Sequence, residues 1–339
     1  MANEDWKTEL RGTWTSAGRA VHWAIVKKRE LSLTEFMGYS SHAFRINING
    51  DNVDVAGPTG YEWEDILPKG LLNLGFRCKW LRTPNFTPPT PEMLAEALEM
   101  IQDSIDRGIP AVGWDLLIPE FGIIYGYDDG ENVLHVKDPR GDGKLSYERL
   151  GRGQVTEMFV LTLTDSFDIS KEMMLSGALD MIIDHARRRQ HNYDLPKYEN
   201  GLKAYEAWIR AFTNRTVDAF GNSYNTSVVY DARKHAYRFL RGLAIDWNGV
   251  TTLEQEVRKH SECAAEHYAV VEQSLGVLNE MFPFPDGGAP NDSVHAERAI
   301  ARLNAAKAAE EKGLLELETM RELLTAKQWV NGKARTLLS

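Results

Sequence analysis

The sequence predicts an α+β protein in which a mixed α/β domain, about residues 1–165, precedes an all-α helical domain, about residues 166–339. Three observations predict this class. Most of the glycine, proline and short β-branched or aromatic runs lie before residue 165. Beyond that position the apolar residues recur with helical periodicity. A chain of 339 residues is also long enough for two domains.

The first half begins with two predicted helices. Apolar residues on one face predict a helix over 18–29, and a second helix is predicted over 62–74 with Gly75 as its stop. The composition of residues 77–81 is typical of a strand. A third helix is predicted to begin after Thr90, because threonine caps a helix and Pro91 fits its first turn without losing a needed donor.

Consecutive strands are predicted over 110–115, 121–127 and 133–138, followed by one more over 155–164. The turn Asp128-Asp129-Gly130 makes the second and third of these strands a β-hairpin. Residues 138–143 contain two glycines and a proline, so we expect a loop there because such a composition does not suit a regular ladder.

At least five helices are predicted in the second half. Their approximate spans are 170–190, 198–214, 226–245, 252–281 and 292–326. The breaker-rich residues 282–290 separate the last two, which predicts a long antiparallel helical hairpin. One hypothesis is that this hairpin forms a homodimer or docks a partner, which requires an exposed apolar stripe on residues 252–326.

Composition excludes several functional classes. The chain carries 39 Lys+Arg against 49 Asp+Glu, a net charge of −10, and its basic residues form only short runs such as 187–189. Phosphate binding needs clustered basic residues, so we expect no nucleic-acid partner. No apolar run reaches the roughly 18 residues of a membrane span, and the acidic first residues do not resemble a secretory signal. The sequence therefore predicts a cytoplasmic protein with no membrane partner.

Known cofactor and metal motifs are absent from the sequence. Cys78 and Cys263 lie far apart, so they predict neither a disulfide framework nor a four-cysteine zinc site. The Walker loop, the dinucleotide-binding glycine motif, His-Glu-x-x-His, Gly-x-Ser-x-Gly and the EF-hand pattern are also missing. We therefore expect no cofactor and no metal.

Three segments, 107–115, 119–129 and 133–139, together resemble the papain-like fold of the bacteriocin-leader cysteine peptidases. In that family a helix ending in glycine precedes a strand, a later strand ends in Gly-Tyr-Asp, and the next one closes with Asp-Pro. The segment Glu30-Leu-Ser-Leu-Thr-Glu-Phe-Met-Gly-Tyr-Ser-Ser-His-Ala-Phe-Arg45 is similar to the one after the nucleophile helix in the butirosin biosynthesis protein H family. The resemblance covers about residues 12–165.

This resemblance implies a papain-like domain joined to a C-terminal helical region. The namesake of the family is an acyltransferase that moves an aminoacyl side chain from a carrier protein to an aminoglycoside. The implied partners are therefore a small-molecule or peptide ligand and an acyl carrier protein.

The resemblance also marks three catalytic positions. Papain-like catalysis uses a thiolate at the N-terminus of the first helix and an imidazole on a facing strand. The cysteine position falls at or within a residue of Ser16, the histidine position falls on Glu120, and the orienting position falls on Asp138, which is retained. A carboxylate with an ordinary pKa of about 4.3 is a poor base for a serine hydroxyl, so the resemblance implies a degenerate triad.

Four further residues are candidates for ligand binding. Trp114 and Tyr125 lie on adjacent predicted strands and form either an aromatic wall for a ligand or ordinary core. His22 or His42, entering the site from the first helix or the loop after it, would restore an imidazole. The simpler interpretations are that both histidines are packed or exposed and that Ser16 only caps its helix.

The leading functional hypothesis is a catalytically degenerate papain-like protein linked to bacterial secondary metabolism. It would bind a small molecule, peptide or acyl group in an interdomain cleft, where ligand pockets preferentially form. The alternative is an active acyltransferase or amide-forming enzyme that uses Ser16 or another histidine.

Overall fold

The structure, a computed structural model, describes residues 12–26, 28–188 and 197–337, with side chains as far as residue 326. Its contacts divide the chain into two units. The first unit comprises residues 1–36 and 63–168, and the second comprises residues 37–62 and 169–339. This division differs from the single boundary near residue 165 that the sequence predicts.

The predicted helices and strands occur in the predicted order with shifted ends, and four further elements, at residues 33–39, 47–49, 141–146 and 198–200, were not predicted. The helices are α1 (Ser16–Ile25), α2 (Leu33–Tyr39), α3 (Trp63–Asn73), α4 (Pro91–Asp106), α5 (Lys171–Ala186), α6 (Leu202–Asn214), α7 (Ala219–Asp246), α8 (Thr252–Met281) and α9 (Ser293–Leu337). The strands are β1 (Asn47–Asn49), β2 (Phe76–Arg82), β3 (Ala111–Trp114), β4 (Phe121–Asp128), β5 (Val133–Asp138), β6 (Gly141–Ser146), β7 (Phe159–Ser166) and β8 (Tyr198–Asn200). The predicted α+β class is confirmed.

The first unit is built on a six-stranded antiparallel sheet with the order β2-β7-β3-β4-β5-β6. Helix α4 contacts β7, β4 and β3, and its buried Ala97 and Ile101 join the core formed with Ile124 and Val136. Helix α1 contacts β4 and β3, whereas α3 contacts β2. The N-terminus of α1 therefore lies beside the first residues of β4, where the sequence places Glu120.

One predicted loop is a strand. Residues 141–146 form β6, which pairs with β5 from Asp138↔Gly141 to Val133↔Ser146, so the expected loop over 138–143 is wrong. The reason is position: β6 is an edge strand, and Pro139 lies in the two-residue turn before it, where its missing N–H interrupts no ladder.

Two other predictions concern helix ends. The Thr90 cap is confirmed, because its hydroxyl accepts a hydrogen bond from the Met93 amide at 3.3 Å. The helix predicted from residue 198 is wrong in its first turn. Residues 198–200 form β8, which pairs with β1, and Gly201 at φ +59° turns the chain into α6.

The second unit is mainly helical, and its core includes residues from the 37–62 segment. Ile46, Ile48 and Val53 pack with α6, α7, α8 and α9 in one hydrophobic cluster. This packing explains why the segment belongs to the second unit rather than to the part of the chain on either side of it. Among the described residues no helix is both long and apolar enough to span a membrane.

Helices α8 and α9 form the predicted antiparallel hairpin. Ser261 near the start of α8 donates to Met320 far along α9 at 3.3 Å. Only four large apolar residues between 252 and 326 are exposed in the described structure, namely Val270, Phe284, Val294 and Leu315. The described part of the hairpin therefore lacks the continuous exposed stripe that the dimer hypothesis requires, and dimerisation stays a prediction.

A buried ion pair stabilises the second unit. Arg233 of α7 is 0% exposed and donates two hydrogen bonds to the Glu310 carboxylate of α9, at 2.8 and 2.6 Å. It also donates to the carbonyls of Ala43 and Arg45, at 3.0 and 3.1 Å. Burial alone would lower the pKa of Arg233, but the carboxylate raises it. The hydroxyl of Tyr205 donates to the same carboxylate at 2.6 Å.

Candidate functional site

Ser16 and Glu120 lie in direct contact in the first unit. Ser16 is the first residue of α1, and its hydroxyl donates a short hydrogen bond to the Glu120 carboxylate. The hydroxyl oxygen of Ser16 also accepts a hydrogen bond from the Phe121 N–H at 3.2 Å. Ser16 is 4% exposed, so its hydroxyl joins the N-terminus of α1 to the start of β4 and is largely closed to solvent.

The loop between β3 and β4 holds Glu120 in place. Its carbonyl accepts the Asp115 N–H at 3.0 Å, and its own N–H donates to the Ile118 carbonyl at 2.6 Å. Backbone bonds within a loop this short leave it little freedom. The carboxylate of Glu120 is therefore presented to Ser16 by a fixed turn.

Asp138 supports that loop and does not contact Ser16. Its carboxylate accepts the amides of Leu117 and Ile118, both at 3.0 Å, and the amide of Arg140 at 2.8 Å. Burial raises the pKa of Asp138, and the amides that donate to its carboxylate oppose this rise. Asp138 is thus a positioning residue for the loop that carries Glu120.

Trp114 lies next to the hydrogen-bonded pair Ser16–Glu120, called the Ser16 pair. It is opposite Phe121 in the β3–β4 ladder, and the Phe121 N–H donates to Ser16. Its ring packs on those of Trp63 and Phe121, with centroids 4.7 and 5.0 Å away. The side chain is 5% exposed, and its indole N–H has no hydrogen-bond partner in the described residues. Buried donors are normally paired, so this one is a notable exception.

Asp115 is a polar residue of this region that the sequence analysis did not single out as a candidate. It adopts a left-handed conformation at φ +52°, unusual for a residue other than glycine. One carboxylate oxygen accepts the Val155 amide at 2.6 Å, and the other has no partner among the residues described. Burial raises its pKa. The available signal was its position as the last residue of the strand predicted over 110–115.

The other three candidates, Tyr125, His22 and His42, make no hydrogen bond to Ser16 in the described residues. The Tyr125 hydroxyl donates to the Asp142 carboxylate at 3.2 Å. Burial is the larger cause, and the nearby Asp142 charge the smaller one, of a rise in the pKa of Tyr125 to about 12. A ring nitrogen of His22 lies 2.8 Å from the Leu31 carbonyl.

His42 belongs to the second unit. Its ring lies between the hydroxyls of Ser40 and Tyr61, at 2.9 and 3.4 Å. Burial, and then the charge of Arg45, lower the pKa of His42 to about 3, so its imidazole is neutral near pH 7. The described Ser16 site therefore contains a hydroxyl and a carboxylate in hydrogen-bond contact, with no imidazole bonded to the hydroxyl.

This arrangement orients a hydroxyl but provides a weak base. The ordinary pKa of glutamate lies about two units below that of histidine, which corresponds to about 3 kcal/mol less driving force for proton removal. In the described part of the chain, no group of three or more His, Cys, Asp and Glu side chains is placed to hold a metal ion. Compared with family models and with curated proteins, the chain matches none.

Proposed function

We propose that this chain is a catalytically degenerate papain-like protein of bacterial secondary metabolism that binds a small molecule, peptide or acyl group beside Ser16. One observation carries the proposal. The Ser16 hydroxyl donates to the Glu120 carboxylate, accepts the Phe121 amide, and has no imidazole bonded to it in the described residues. A nucleophilic serine needs a neighbouring base with a pKa near 7, and this serine has a carboxylate instead.

Binding is the function that such a site retains. The unpaired indole N–H of Trp114 and the unpaired carboxylate oxygen of Asp115 are a buried donor and a buried acceptor on the residues whose backbones pair with Phe121 and Glu120. A peptide or acyl ligand carries carbonyl and N–H groups that match both.

A thermal-shift screen of the full chain tests this proposal, with aminoacyl thioesters, peptides and aminoglycosides as probes. A ligand at about a hundred times its Kd stabilises the native state by about 2.7 kcal/mol, which raises Tm measurably. Trp114→Phe keeps an aromatic ring and removes the donor, so it should reduce the shift. Trp80→Phe is the matched control, because Trp80 is 42% exposed on β2.

Turnover separates this proposal from its enzymatic alternative. We expect no release of thiol from an aminoacyl thioester above the rate without protein. Release that disappears in Ser16→Ala would overturn the proposal and favour an active acyltransferase. The absence of any thermal shift with all three probe classes would also contradict it.

A further inference from the structure

A groove of about 770 Å³ in the first unit is lined by α4, β2 and β7. Its volume lies within the range of about 300–1,000 Å³ that is usual for ligand pockets. Its lining includes Glu96, Glu99 and Asp103 of α4, Lys79 of β2 and Thr162 of β7. None of them contacts Ser16 or Glu120 by a hydrogen bond.

The α4 side of the groove is acidic, although the basic residues Lys79 and Arg107 also line the groove. Glu96, Glu99 and Asp103 recur at helical spacing, so they share one stripe of α4. All three are exposed, and within the described residues none of their carboxylates makes a hydrogen bond or an ion pair. Lys79 shares the groove and is not paired with any of them. The charge of this wall favours a cationic ligand.

Thr162 gives an independent indication of a ligand. It lines the groove, is only 2% exposed, and its hydroxyl makes no hydrogen bond in the part of the chain that the structure describes. Although the residue is buried, its hydroxyl oxygen is not one of the fully enclosed unpaired atoms of the described residues, so it opens to the groove and can donate or accept there. A polar group of a ligand in the groove would supply the partner.

The adjoining strand favours a peptide as the ligand. Strand β2 is at the edge of the sheet and pairs only with β7 in the described residues. Alternate backbone N–H and C=O groups of residues 76–81 therefore face away from β7 without partners. An extended segment can add to such an edge as a further strand, with its side chains alternating between the two faces.

We propose that this groove and the free edge of β2 bind an extended basic peptide. Its backbone pairs with β2, its lysine or arginine side chains on one face form ion pairs with Glu96, Glu99 and Asp103, and a polar group bonds the Thr162 hydroxyl. This binding surface is separate from the site of the proposed function, so either one can fail without the other.

Fluorescence anisotropy of the full chain with a labelled peptide of alternating lysine and valine tests the charge and hydroxyl contributions. We expect binding that weakens as salt is raised. The double variant Glu96→Gln/Glu99→Gln should weaken it about fivefold, and Thr162→Val should weaken it about fivefold as well. Glu148→Gln is the matched control and should leave binding unchanged, because Glu148 is exposed in the same unit but outside the groove.

Two further probes test strand addition without altering the protein. The same peptide with alternate amides N-methylated cannot pair with β2, so it should lose most of its binding. Spermine is a compact cation without a peptide backbone and should compete poorly. Equal binding of the N-methylated peptide, equal competition by spermine, or no effect of the double acidic variant would each overturn the proposal.

Discussion

The buried pair between Arg233 and Glu310 allows a quantitative test of the second unit. In Glu310→Leu, the Arg233 guanidinium would stay buried without its counter-charge, and the Tyr205 hydroxyl would lose its acceptor. Breaking a buried pair by removing one partner costs about 3–5 kcal/mol. Loss of the acceptor for the Tyr205 hydroxyl costs about 1–3 kcal/mol by itself. The two costs do not add in full, because both arise from the same carboxylate. We therefore expect the free energy of unfolding to fall by about 5 kcal/mol.

Equilibrium urea unfolding followed by circular dichroism measures this loss. Glu206→Leu is the matched control, because Glu206 of α6 pairs with Lys307 of α9 at 2.8 Å on the exposed surface. That pair should contribute less than about 1 kcal/mol. The double variant Arg233→Met/Glu310→Leu should be more stable than Glu310→Leu alone, since it leaves no unpaired charge. A cost below about 1 kcal/mol for Glu310→Leu, or no recovery in the double variant, would refute this reasoning.

Three further predictions concern single residues. The pKa of His42 falls from 6.5 unfolded to about 3 folded, so the unfolded chain binds more protons between these values. Stability from His42 is present above pH 6.5 and is lost as the pH falls towards 3. Urea unfolding at pH 7 and 5 should differ by about 2 kcal/mol from this cause, and His42→Gln should lack that share; an unchanged difference would contradict the assignment. Asp138→Asn places its amide donor against at least one backbone donor, the Arg140 N–H, and should cost about 1–3 kcal/mol, with faster hydrogen exchange of the loop before Glu120; Asp103→Asn is the control, and unchanged exchange would oppose the positioning role. Ser16→Ala removes one hydroxyl bridge and should lower the free energy of unfolding by about 1 kcal/mol, measured in the same way, whereas no loss would mean that the bridge does not stabilise the fold.

Much of the architecture could be predicted because it follows from local patterns. The α8–α9 hairpin combines sustained helical periodicity with a breaker-rich connection, and the Thr90 cap is a short-range signal. Assignment of residues 37–62 to the second unit depends on long-range packing. The apolar character of Ile46 and Val53 predicts burial but does not show which core receives them.

The candidate site could be predicted in part for the same reason. The resemblance placed Ser16 and Glu120 at facing positions, and the structure brings their side chains into contact. The resemblance does not distinguish a residue that holds a loop from one that reacts. It therefore did not predict that Asp138 accepts hydrogen bonds from backbone amides. The unpaired atoms of Trp114 and Asp115 depend on neighbours that are distant in sequence, such as Trp63 and Val155.

Because residues 37–62 interrupt the first unit, neither unit is a continuous stretch of chain. A gene fragment encoding residues 169–339 would lack Ile46, Ile48 and Val53, as well as the two carbonyls that accept from Arg233. Such a fragment would have a cavity in its hydrophobic core where these side chains are missing. An exchange of the helical half between proteins would therefore have to carry residues 37–62 with it.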